Sequence, residues 1–135
     1  MTLRLIGIVL GVAASSTMAQ QPAAIRNGFM VFFDWGKPDI RADDSAVLDQ
    51  IVDAWRSNPG ARLQLSGHSD RSGSPSTNFR SARKRAEMVR DQLVARGVPV
   101  SAVSVASYGE ERPLVSTEDG VREVQNRRVE ILFEE

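Results

Sequence analysis

The sequence predicts an α+β fold in the order βαβαββ, with two helices packed on one face of a mixed β-sheet. Three observations predict it. Four segments are dense or alternating in β-forming residues, two segments among them carry apolar residues at helical spacing, and the junctions hold turn or capping chemistry. Interleaved elements of this kind bury the apolar stripe of each helix against the sheet. The 135 residues allow one domain, or one domain behind a processed leader.

Residues 1–19 are expected to be a secretory signal peptide. Arg4 is their one charge, Leu5 to Ala14 is apolar, and Thr17 and Ala19 put small side chains where a signal peptidase reads. The apolar run spans ten residues, about half of what a membrane-spanning helix requires. Residues 20–27 form a polar lead-in, and the domain is expected over 28–135. Gly28 to Phe33 (GFMVFF) reads as a buried strand. Asp34 to Asp39 then supplies turn chemistry. Asp43 or Asp44 offers a cap for a helix whose core residues are Val47, Leu48, Ile51, Val52 and Trp55, and Asn58-Pro59-Gly60 ends it. Arg62 to Ser66 alternates as a half-exposed strand, and Gly67 to Thr77 is a polar loop. Ser74-Pro75 begins the second helix, which closes at Gly97. Val103 to Tyr108 is the third strand, Gly109 to Gln125 a charged loop, and Arg127 to Phe133 the last strand, with Val129, Ile131 and Phe133 on one face.

Composition removes several function classes. Lys and Arg number 17 against 17 Asp and Glu, so no gross basicity supports nucleic-acid binding. One His and no Cys argue against a zinc site and exclude a Cys nucleophile, a disulfide framework and a lipidated cysteine. No cofactor is expected. A hydrolase is disfavoured, because no Ser lies in a G-x-S-x-G elbow and His68 reads as an ordinary strand-end residue.

The second helix sorts its charges. At about 100° per residue, Ala82, Ala86, Val89 and Leu93 form one buried stripe, while Arg80, Arg83 and Lys84 point toward water. Asn78 and Arg85 fall side by side on the shoulder of that stripe. A guanidinium at a core margin requires an acidic partner or an anionic ligand, and the preceding loop supplies Asp70. Two readings stay open. Asp70 and Arg85 pair as structural glue, or they split a zwitterionic ligand, with its ammonium on Asp70 and its carboxylate on Arg85.

Gly67-His68-Ser69-Asp70, Gly73, Asn78, Arg85-Ala86, Val89 and Leu93 together resemble the signature of OmpA-like peptidoglycan-binding domains. The resemblance extends to Phe33-Asp34-Trp35, Tyr108-Gly109-Glu110, Pro113 and Asn126 to Glu130, and so covers about 28–135. It implies a non-catalytic βαβαββ module of the periplasm that holds the diaminopimelate of peptidoglycan stem peptides. Asp70 and Arg85 would be the two grips by position, supported by Asp34, Trp35, Gly36, Asn78, Val124 and Arg127. Trp35 and Gly36 would act through backbone groups. Other envelope proteins are the alternative class of partner, in a module of the same fold that does not bind the wall. Neither nucleic acid nor a transmembrane segment in the mature chain is expected, and the resemblance implies a periplasmic, outer-membrane-associated location. One departure stands out. Ser81-Ala82 occupies the place of the pattern's Leu-Ser, with Phe79 expected to refill the lost apolar volume.

Overall fold

Strand β1 (Gly28–Phe32), helix α1 (Ser45–Ser57), strand β2 (Arg62–His68), helix α2 (Pro75–Ala95) and strands β3 (Val103–Gly109) and β4 (Arg128–Glu134) follow one another along the chain. The structure is a computed structural model, and it describes residues 28–37 and 39–134. The expected leader and polar lead-in lie outside the described residues. The strands form one sheet in the order β1-β4-β2-β3. β4 is antiparallel to both its neighbours, and β2 runs parallel to β3, so the sheet is mixed. Among the described residues no helix is long and apolar enough to cross a membrane.

The alternation along each strand decides which face is covered. Val31, Leu63, Leu65, Val129 and Ile131 join Leu48, Ile51, Val52, Ala86, Val89 and Leu93 in one core between the sheet and the helices. Gln64, Ser66 and His68 alternate with the core leucines and therefore belong to the opposite face. The first strand differs from its expectation. β1 is an edge strand, paired only with β4, and its Met30 is exposed.

The helix expectations hold in detail for α2. Ser74 accepts a hydrogen bond from the Thr77 N–H at 3.2 Å, and Pro75 follows it in the first turn. Ala82, Ala86, Val89 and Leu93 are fully buried, Asn78 and Arg85 are buried beside them, and Arg80, Arg83 and Lys84 are exposed. Gly97, at φ +108°, ends the helix in a conformation that a side chain would strain, and the Val98 N–H reaches back to the Leu93 carbonyl at 3.1 Å. At α1 the capping expectation is corrected. Asp44 stands at the N-cap position but makes no capping bond; its carboxylate accepts the Phe32 N–H at 3.0 Å and ties the helix to β1.

Ala82 lies where α2 packs tightly on β2. A Cβ placed on Gly67 would stand 2.0 Å from the Ala82 carbonyl oxygen, so the glycine permits the approach. Phe79 does not refill volume in the core: its ring is exposed, while its backbone lies against Gly109.

Candidate functional site

The loop between β2 and α2 brings the candidate residues together. β2 and β3 slip in register between Gly67 and His68, next to the end of both strands, and bulges of this kind commonly re-aim the residues that follow. The Ser69 N–H then closes on the Gly109 carbonyl at 2.8 Å. Asp70 comes next and makes an Asx-type turn: one carboxylate oxygen accepts the Ser72 N–H at 3.2 Å and the Ser72 hydroxyl at 2.6 Å.

The other carboxylate oxygen of Asp70 accepts Arg127 Nη1 at 2.7 Å and the Glu123 N–H at 3.0 Å. Burial raises the Asp70 pKa, but the Ser72 hydroxyl, Arg127 and the two backbone donors together outweigh it and hold the carboxyl below its ordinary value. Arg127 also donates through Nε to the Phe33 carbonyl at 2.9 Å, which anchors β1 to the same point. The ion partner of Asp70 is therefore Arg127, and the expected structural pairing of Asp70 with Arg85 is replaced by this contact.

Arg85 is buried without such a partner. Nη1 donates to the His68 carbonyl at 3.3 Å, and the guanidinium lies 5.8 Å from the Phe33 ring centroid. Among the described residues no carboxylate comes within ion-pair distance of it. Burial lowers its pKa, the nearby Asp70 charge works against that, and Arg127 adds to it. Asp70 and Arg85 nevertheless share a cleft of about 190 Å³ whose lining includes Trp35, Gly36, Asn78 and Ser81.

Around the cleft the remaining residues are fixed by one another. Asn78 donates to the Gly73 carbonyl at 3.0 Å and to Glu110 at 2.8 Å. Arg71 pairs with Glu110 at 3.2 Å and Asp119 at 3.0 Å, and so ties the long loop before β4 to the loop before α2. Trp35 engages its side chain as well as its backbone position: its indole N–H donates to Ser72 at 3.1 Å, and the Arg122 guanidinium covers its ring at 3.4 Å.

Three expected contributors stand apart from the cleft lining, and the first, Arg127, acts on it through its bond to Asp70. Asp34 is exposed and faces Arg41 at 3.7 Å. Val124 is exposed in a short 3-10 turn, next to the Glu123 whose N–H reaches Asp70. Ser72, Glu110, Arg122 and Glu123 are the residues that sequence reasoning missed. Ser72 had a readable signal, its position two residues after an Asp in a turn, and Glu110 stood in the Tyr108-Gly109-Glu110 motif; Arg122 and Glu123 had none.

His68 faces a separate cleft of about 460 Å³ on the other side of the sheet, with Tyr108, Arg112, Arg128 and Glu130. Its ring is buried, stacks on Tyr108 at 5.5 Å and has no hydrogen-bond partner on either nitrogen among the described residues. Desolvation first, then Arg128 and Arg112, against an opposing pull from Glu130, lower its pKa to about 4.

Comparison with known proteins gives a consistent picture. The sequence pattern of the OmpA family matches residues 32–127. A peptidoglycan-associated lipoprotein of Rhizobium meliloti (strain 1021) is 35% identical over 122 residues, covering 90% of this chain and 69% of the relative. A peptidoglycan-associated lipoprotein of Agrobacterium fabrum is 34% identical over 120 residues, covering 88% and 68%. The crystal structure of the peptidoglycan-associated lipoprotein from Burkholderia pseudomallei superposes with a TM-score of 0.72 at 28% identity, over 78% of this chain and 89% of that one. The periplasmic domain of Helicobacter pylori MotB shares the fold, with a TM-score of 0.65 at 22% identity over 84% and 78%.

Proposed function

The chain belongs to the OmpA family, and on that footing we propose that it is a non-catalytic, peptidoglycan-binding module of the cell envelope that holds the diaminopimelate of stem peptides in the Asp70–Arg85 cleft. The observation that carries this reading is Arg85, a buried guanidinium with no carboxylate partner among the described residues, lining a cleft with Asp70. A buried cation in that position is stabilised by an anionic ligand, and a bidentate carboxylate suits its planar fork.

The two grips work differently. Arg85 keeps N–H groups uncommitted, so it supplies direct hydrogen bonds to the ligand carboxylate. Each Asp70 oxygen already accepts two bonds, so a ligand ammonium gains mainly from the fixed negative charge. Arg127, Ser72 and Glu123 hold that charge in place before the ligand arrives, which reduces the ordering lost on binding. Asn78, Trp35 and Gly36 shape the cleft between them. Asp34 and Val124 support it from outside.

The relatives' names place those proteins at the peptidoglycan and the outer membrane, and the expected leader over 1–19 fits a periplasmic location here. Co-sedimentation with insoluble sacculi tests the reading. The protein is expected in the pellet, released by free meso-diaminopimelate and not by lysine at equal concentration. A protein that stays in the supernatant would favour the same fold serving an envelope protein partner.

A further inference from the structure

We propose, resting on the reading that the Asp70–Arg85 cleft receives an amino-acid centre, that the Ser81 hydroxyl is a second donor to the ligand carboxylate held by Arg85. A serine within a helix commonly returns its hydroxyl to the carbonyl one turn back. Ser57 does so in α1, donating to the Asp53 carbonyl at 3.2 Å. Ser81 does not: half-buried, it lines the cleft and makes no hydrogen bond among the described residues.

Most of its neighbours have no such freedom. The Ser72 hydroxyl donates to Asp70, the Ser69 hydroxyl to the Asp70 carbonyl, the Trp35 indole to Ser72, and the Asn78 amide to Gly73 and Glu110. Thr77 is drawn into the helix cap, where its oxygen accepts from Ser74 and Arg80. Among the lining side chains Ser81 and Thr77 keep an uncommitted hydroxyl hydrogen, and of the two Ser81 is the one a single turn from Arg85, whose N–H groups also remain. Ser81 and Arg85 stand four residues apart on one face of α2, a spacing that puts their Cβ atoms about 5–6 Å from each other. A carboxylate offers about four acceptor positions, so one bound to Arg85 retains capacity for a hydroxyl. That bond, O–H to a charged oxygen, is of the stronger kind.

Isothermal titration with free meso-diaminopimelate, beside thermal unfolding, tests the assignment. Ser81→Ala is expected to weaken binding about 5- to 30-fold while leaving the melting temperature within about 2 °C. Ser81→Thr, which keeps the hydroxyl, is expected to bind within about threefold of the parent. Parent-like binding by Ser81→Ala, or Ser81→Thr as weak as Ser81→Ala, would overturn the role of Ser81. If Arg85→Ala alone loses the ligand, the cleft reading stands and the Ser81 donor falls. A folded parent that does not bind at all removes both.

Discussion

Arg127 and Arg85 are both buried guanidiniums, yet their removal should have opposite consequences. Arg127 holds Asp70 and the Phe33 carbonyl at once, so Arg127→Ala leaves a buried carboxylate short of its counter-charge. A loss of about 3–5 kcal/mol is expected in urea unfolding. Among the described residues Arg85 has no ion partner to abandon, so Arg85→Ala should change stability by less than about 1 kcal/mol and weaken sacculus binding about 30-fold or more. His68 adds a pH dependence of its own. Its folded pKa of about 4 lies below the ordinary 6.5, so between those values the unfolded chain takes up a proton that the folded chain does not. Stability should therefore fall as pH drops from 6.5 to 4, by up to about 3 kcal/mol. His68→Phe keeps the stack on Tyr108 and removes the titration. Unfolding curves across that window should be flatter for this variant, and an unchanged slope would assign the dependence to other groups. The lowered pKa of Asp70 acts in a more acid window, since its contribution is lost only as pH falls through its folded value.

At the scale of elements, α2 was the most legible part of the chain. Its period alone separated the buried Ala82, Ala86, Val89 and Leu93 from the exposed Arg80 and Lys84, because each position reports only on its own helix face. Leu93→Ala is expected to cost about 2–5 kcal/mol and Lys84→Ala less than about 0.5, compared in the same denaturant series. The contact between α2 and β2 is stricter. Gly67→Ala puts a methyl group into the Ala82 carbonyl, which is backbone and cannot rotate away. That variant should lose more stability than Leu93→Ala, read by thermal unfolding. Contacts that cross the chain were not legible. Asp70 meets an arginine 57 positions later and a backbone N–H 53 positions later, and no local spacing encodes either. The same holds for Asp44, whose capping role is lost to a strand N–H twelve residues before it. The resemblance carried Arg127 into the site; its bond to Asp70 became visible only with the fold.

For the whole molecule, the sheet binds distant parts of the chain into one unit. Asn126 is fully buried, accepts the Leu114 and Val115 N–H groups at 2.8 and 2.9 Å, and donates to the Val115 carbonyl at 2.8 Å. It thus fastens the long loop to the start of β4, as Arg71 fastens it to the loop before α2. Asn126→Ala, which leaves two backbone donors without their partner, should lower stability by about 1–3 kcal/mol, and amide hydrogen exchange over 110–126 should rise more than in β2. The position of β4 has a further consequence for biosynthesis. It is the last strand to be made, yet it lies between β1 and β2. Until residues 128–134 are added, β1 has no neighbour to hydrogen-bond with, β2 has only β3, and the Asp70 carboxylate lacks its arginine until just before then. Closure of the four-stranded sheet therefore waits for residues 128–134, and β1 stays unpaired until they are made. A chain arrested at residue 127 should be more protease-sensitive over β1 than over β2 and β3, and protection of β1 should appear only once residues 128–134 are included. The proposed envelope location would require the chain to be threaded unfolded through a translocon, and delayed closure in this strand order suits that passage.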